Sequence, residues 1–234
     1  ERTLGIEELR GQFLLRHLMG FLLYFLSVFF FYKIIYQRTN SWKWGLVGAL
    51  FLILSPRLFA HSFFNPKDTI TFSLYLIATF SLLQFVEKKD FKTALLHGFA
   101  TGILLNTRIV GVVIPVLTCG VLFWELLVIG GLKKYFPKTK KSTADLSPIN
   151  YSKTAVTTVV YLVATAFFTY IFWPYLWDDP LTNFVYVWET FSKYVTWDGS
   201  MMYWGKYVRS TALPWHYVPS YMIATIPLVF LPLF

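Results

Sequence analysis

Apolar residues run along this chain in long blocks, each closed by a short polar cluster. They show neither the strict alternation of a half-buried strand nor the one-sided periodicity of a soluble helix. The blocks cover 12–36, 42–57, 69–87, 93–107, 109–132, 154–175 and 218–234. Each is read as a membrane segment, which predicts an all-α polytopic bundle of about seven spans. Several blocks fall short of the roughly 20 residues a perpendicular span needs, so tilt or partial insertion is expected. Only Thr107-Arg108 parts the fourth block from the fifth. Residues 93–132 are therefore two spans with a tight turn or one broken element.

The polar clusters carry local signals of their own. In "HSFFNPKDT", residues 61–69, Asn65 is placed to cap a helix, with Pro66 at its first position and Asp68 at its third. Gly98 and Gly102 form a small-xxx-small face suited to close helix packing. The segment "NFVYVWETFSKYV", residues 183–195, has the pattern of an amphipathic helix lying on a membrane surface.

Composition agrees with the blocks. Of the 234 residues 56% are hydrophobic and 14% charged, against about 25% charged in soluble domains. Mean hydropathy is +0.53. The net charge of +9 would suit a nucleic-acid binder, but the basic residues are scattered over the connections between apolar blocks, which argues against one. With residues 1–11 on one side, the other side receives Lys33, Arg38, Lys43, Lys88, Lys89, Lys92, Lys133, Lys134, Lys138, Lys140, Lys141 and Lys153. That majority of the 21 basic residues makes the second side cytoplasmic, with 133–153 as its basic loop. The glycosylation sequon at Asn150-Tyr151-Ser152 then lies on the wrong side for use. The outer side keeps "SPRLFAHSFFNPKD", Arg108 and the long segment 173–218. No signal peptide opens the chain, and the last apolar block is short, so both ends read as cut. One cysteine, Cys119, excludes an internal disulfide. Four separated histidines offer no metal-binding set, and a divalent metal stays open.

Candidate chemistry therefore concentrates on the outer side. Asp68 is a plain helix-start residue or an acid facing a polar cavity, and the two roles are compatible. Arg108 either snorkels to headgroups or offers a fork of donors to a phosphate; residue type alone favours snorkelling. Lys67 stands next to Asp68, and Arg16-His17 opens the first block as an interfacial pair or as donors to an anion. His97 lies deep in a block and reads as a packed polar residue. Glu125 lies near a cytoplasmic end and reads as snorkelling. The segment 173–218 interleaves Trp173, Trp177, Trp188, Trp197, Trp204 and Trp215 with Asp178, Asp179, Glu189 and Asp198. An interfacial belt explains Trp173, Trp177 and Trp215. Flat rings with interspersed acids also suit a sugar, whose ring stacks while its hydroxyls donate to carboxylates.

Taken in order, "LSPRLFAHSFFNPKDT", "LLNTRIVGVVIP", "WPYLWDDP", "WDG" and "LPWHYVPSYMIATIP" resemble bacterial members of the dolichyl-phosphate-mannose-protein mannosyltransferase family, within the GT-C class. The resemblance runs from about Arg16 to Pro227. It implies a polytopic helix bundle that moves a sugar from a polyprenyl-phosphate carrier, on the outer face of a bacterial plasma membrane, to a hydroxyl of a protein, lipid or glycan. It names the polyprenyl-phosphate sugar as donor substrate and leaves a divalent metal open. Arg108, Lys67, Arg16 and His17 would hold the lipid phosphate. Asp68 would be a second acidic position, able to orient the acceptor, hold a basic partner or help bind a metal. Trp197, Asp198, Trp215 and His216 would close over sugar or acceptor. The family's main base is expected upstream of Glu1, with Glu1, Glu7 and Glu8 at most its tail, so this stretch alone is expected to be inactive. A transporter or lipid flippase is the alternative; transporters put ionisable groups near the midplane, and only His97 is deep here.

Overall fold

In the computed structural model residues 2–125, 127, 151–192 and 199–225 are described. They form a helical chain with one small hairpin. α1 spans Arg2–Thr39, α2 Trp42–Ile53, α3 Pro56–Phe64, α4 Pro66–Lys88 and α5 Phe91–Thr107. A 3-10 turn at Ile109–Val112 leads into α6, Val113–Trp124. α7 is Tyr151–Phe172, α8 Pro180–Ser192 and α9 Tyr217–Thr225. Strands β1, Ser200–Tyr203, and β2, Lys206–Arg209, pair antiparallel. The chain divides into two compact units, through Pro180 and from Leu181 onward.

Local chemistry sets the helix ends. Asn40 and Lys89 take left-handed φ of 50° and 47°, the conformation that stops a helix and turns the chain back. Pro56 and Pro66 each occupy the first turn of their helices, where the missing N–H costs nothing. Asp90 caps α5: its Oδ1 accepts from the Thr93 N–H at 2.7 Å and the Thr93 hydroxyl at 2.8 Å. Its carboxyl is held below the usual 3.8 by those bonds, aided by the charges of Lys88 and Lys153 and opposed by a little burial.

Among the described residues three helices are long and apolar enough to cross a membrane: Leu9–Thr39 within α1, then α4 and α7. The block 42–57 is not one continuous span. α2 stops at Ile53, and α3 leaves it at 53°, because Pro56 cannot continue the hydrogen bonding of the preceding turn. If that bent pair is one span, there are four. α5 has 17 residues and rises only about 26 Å, short of a hydrocarbon core of about 30 Å. Residues 93–132 are not one broken element. Arg108 is extended at φ −153°, and α6 returns alongside α5, so that Thr118 meets His97. The described part of 109–132 ends at Leu127, most of the loop 133–153 lies outside the described residues, and so does 226–234.

α5 is the centre of the first unit. Leu74 and Ala78 of α4, Ala100 and Leu104 of α5 and Ile114 of α6 make one buried cluster. Phe85, Ala94, Leu122 and Tyr161 make a second nearer the α4–α5 turn. The expected small-residue face is present, and α7 is its partner. A Cβ on Gly98 would come within 2.5 Å of the Ala164 Cβ and 3.0 Å of the Thr165 nitrogen. Between the clusters His97 is fully buried, with Nδ1 2.8 Å from the Ser81 hydroxyl and Nε2 2.9 Å from that of Thr118. Its ring stacks on Tyr161 at 4.5 Å. This is the packed polar residue expected, joining α4, α5, α6 and α7. Glu125 does not snorkel: it pairs with Lys89 at 2.9 Å, and both side chains are mostly covered.

In the second unit α8 supplies the helix expected in 183–195, beginning at Pro180 and described to Ser192. The hairpin was not anticipated. Its signal is Trp204-Gly205, a two-residue loop with φ of 50° and 77°, the primed-turn geometry that joins twisted strands.

Candidate functional site

Both ends of the first bundle carry charge, and they differ in kind. One end gathers Lys88, Lys89, Asp90, Glu125 and Lys153, whose amine donates to the Lys88 carbonyl at 3.4 Å. The other end gathers Asp68, Arg108, Arg16 and His17 around the first turn of α4. The two charged clusters are thus physically separate ends of the first unit's bundle.

Asn65 builds the second end. It closes α3 and opens α4 with a φ of −132°, which suits neither helix and forces the corner. Its Oδ1 accepts from the Asp68 N–H at 3.4 Å, the predicted cap. Its Nδ2 donates to Asp68 Oδ2 at 2.5 Å. The other carboxylate oxygen, Oδ1, accepts from the guanidinium of Arg108. Asp68 is therefore gripped from two sides, by its own cap residue and by an arginine 40 positions away. The two charged side chains stay 42% and 44% exposed, open to a ligand.

Arg108 reaches this place because α5 ends one residue earlier. The extended backbone at Arg108 swings its side chain out of the helical path, while its N–H still closes the last turn on Leu104 at 3.2 Å. Gly111 then lets the chain double back, since a Cβ there would come within 2.9 Å of Leu104 Cγ. Arg108 does not simply snorkel; it is docked on an acid.

The same first turn of α4 also borders, through Pro66 and Thr69, an apolar cavity of about 370 Å³. Phe21 and Tyr24 of α1, Phe59 and Phe63 of α3 and Thr69 of α4 line it, and Arg16 and His17 belong to its wall. The His17 ring packs on Phe13 at 4.2 Å. Arg16 and His17 thus come to the first turn of α4, which also carries exposed Lys67 and half-buried Asp68. Cations beside an apolar chamber are the donor set for an anionic head with a greasy tail.

In the second unit Trp215 is 88% exposed, and its ring meets His216 edge-on. His216 Nδ1 lies 2.6 Å from the Tyr203 hydroxyl, which also lies 3.0 Å from Ser220 Oγ. Trp197 and Asp198 lie outside the described residues. Sequence reasoning did not single out Asn65 as a ligand of the Asp68 side chain. An N-cap three residues before an acid is its signal. The link from Asp68 to Arg108 has no local signal at all.

A family model described as dolichyl-phosphate-mannose-protein mannosyltransferase matches residues 13–143, more than half of the chain. No curated protein and no solved structure matches it.

Proposed function

The chain belongs to the dolichyl-phosphate-mannose-protein mannosyltransferase family, a family of membrane glycosyltransferases that use lipid-linked sugars, and from that premise we propose that the Asp68–Arg108 end receives the phosphate of a polyprenyl-phosphate sugar. The observation that carries this reading is the pairing of Asp68 with Arg108 at the helix turn whose Pro66 and Thr69 border the apolar cavity holding Arg16 and His17.

In the transfer, an acceptor hydroxyl oxygen attacks the anomeric carbon. The bond from that carbon to the phosphate oxygen breaks, and its electron pair stays on the phosphate. The hydroxyl proton passes to a carboxylate. Negative charge grows on the departing phosphate, so fixed cations beside it lower the barrier. Arg108 is best shaped for this, with a planar fork that matches two phosphate oxygens. Lys67 and Arg16 add positive charge at the same helix turn, and His17 adds a ring N–H donor. The lipid tail occupies the apolar cavity.

Asp68 holds Arg108 in place until the phosphate takes over the fork. Its freed carboxylate then orients the acceptor hydroxyl. Trp197, Asp198, Trp215 and His216 are proposed, from the family resemblance, to contact sugar or acceptor. The acceptor is a hydroxyl of a protein, lipid or glycan, the sugar a hexose or pentose, and the face the outer one of a bacterial plasma membrane. A transporter would need a deep ionisable group open to a path, and His97 is closed in by hydroxyls and rings.

The test is donor binding by the full-length protein. Arg108→Ala should weaken the apparent affinity for polyprenyl-phosphate sugar by about tenfold to a hundredfold, the loss of a charge-assisted contact. Lys206→Gln, a surface charge in the hairpin, should leave it unchanged. Unaltered donor affinity in Arg108→Ala would remove the phosphate role.

A further inference from the structure

At the opposite end of the bundle a second apolar groove, of about 370 Å³, opens over α4 between α1 and α5. Ile77 and Phe80 of α4 form its floor, Phe30 of α1 one wall, and Leu96 and Phe99 of α5 the other. At its mouth stand Lys88, Asp90 and Lys92. Nothing in the transfer reaction uses this groove.

Three features narrow what fills it. The first is length. From Lys88 to Ile77 along α4 is 11 residues, about 16 Å of rise, which matches half of a hydrocarbon core of about 30 Å. The groove thus runs from one membrane surface to the bilayer middle and stops, which suits one chain of one leaflet.

The second is charge. Asp90 is spent on its helix, since its carboxylate accepts from both the N–H and the hydroxyl of Thr93. Lys89 turns away to Glu125. The side-chain amines of Lys88 and Lys92 are left with no hydrogen bond or ion pair among the described residues, although that of Lys88 feels the Asp90 charge. Two amines face one preoccupied carboxylate, so the mouth favours an anion.

The third is wall chemistry. Leu96 is 52% and Phe99 39% exposed, and most of the exposed lining surface is hydrocarbon and aromatic, with Ser81, Gln84 and Thr93 as its uncharged polar members. Such walls reward an apolar chain and offer nothing to a soluble anion.

We propose that this groove binds an anionic glycerophospholipid of the surrounding bilayer, its head on Lys88 and Lys92 and one acyl chain along Phe80, Leu96 and Phe99 toward Ile77. The ligand is separate from the lipid-linked sugar: it enters from the other leaflet and meets the bundle at the other end. The site ties α1 to the α4–α5 pair from the surface opposite the proposed catalytic end.

The test uses the full-length protein in detergent and native mass spectrometry with added phosphatidylglycerol or phosphatidylcholine. Phosphatidylglycerol should be retained at least tenfold more strongly. Lys88→Gln with Lys92→Gln should abolish that preference. Lys33→Gln with Lys43→Gln, which removes the same charge elsewhere, should keep it. Leu96→Trp fills the groove at an exposed position and leaves both amines, and it should also lose phosphatidylglycerol. Equal retention of the two lipids overturns the proposal, as does full retention by the Lys88/Lys92 or Leu96→Trp variants. A dimer in the same spectra, lost on Leu96→Trp, would assign the groove to a second copy instead. Donor binding at Arg108 is not read here, so the two proposals fail separately.

Discussion

Asp68 and Arg108 form an ion pair whose partners are each more than two-fifths exposed. Pairs of that kind contribute about 0–1 kcal/mol to stability, because water screens them and holding two side chains costs entropy. Their value is therefore local and chemical. Asp68→Asn should shift the thermal unfolding of the full-length protein by no more than a pair of that size allows, yet abolish transfer. Wild-type turnover in Asp68→Asn would show the carboxylate to be only a cap. His97 predicts the reverse. It is wholly buried, stacked on Tyr161, and joined to two helices by hydroxyls. His97→Ala should cost about 3–5 kcal/mol through the cavity it leaves. Donor affinity in the surviving folded fraction should not change. Calorimetry in detergent, with donor binding on the same sample, separates the two residues.

Among the elements, the α5–α7 contact decides whether the bundle closes. Gly98 and Gly102 lie against the α7 backbone, and a Cβ at Gly102 would come within 2.7 Å of Phe168 Cβ and 3.1 Å of the Thr169 nitrogen. Backbone cannot swing aside as a side-chain tip can. Gly98→Val should therefore destabilise by about 1–3 kcal/mol or more through overpacking. Gly120, with nothing within 4 Å of a built Cβ, should accept alanine without loss. Thermal unfolding of the two variants side by side checks this. The α5 start adds a pH dependence. Asp90 has a carboxyl held below 3.8 in the folded protein, so its stabilisation is complete above the unfolded value. It is lost as pH falls from 3.8 through the lower folded value. An unfolding titration across that acid window should show a dependence in the wild type that Asp90→Asn, still a good cap, lacks.

For the whole molecule, the ends of the bundle give a testable sidedness. The Asp68–Arg108 end and the Lys88–Glu125–Lys153 end lie apart within one compact unit. In a variant with Cys119 replaced by serine, a single cysteine at Lys67 should react with an impermeant maleimide from outside intact cells. One at Lys92 should react only after the membrane is opened. Labelling of both from the same side would refute the assigned topology. The exposed rings of α1 fit the same picture: Phe13, Phe21 and Phe25 are each more than 60% exposed, which water would penalise and lipid does not.

Much of this was legible along the chain because its causes are local. Long apolar blocks, proline at a helix start, asparagine before it, paired glycines and a basic turn each act over a few residues. They announced the helical membrane protein, the α4 start, the close-packing face of α5 and the buried role of His97. Even the split of charges between two ends followed from counting connections. What the chain could not announce is contact between distant positions. Nothing local says that α7 is the helix that Gly98 and Gly102 meet, that Lys89 takes Glu125 inward, or that α6 doubles back on α5. Nor does it say that Arg108 closes on Asp68 rather than lying in the headgroups. That last choice depends on where two helix ends meet in space. The charge of each residue was fixed by sequence, and its partner only by the packing of α4 against α5.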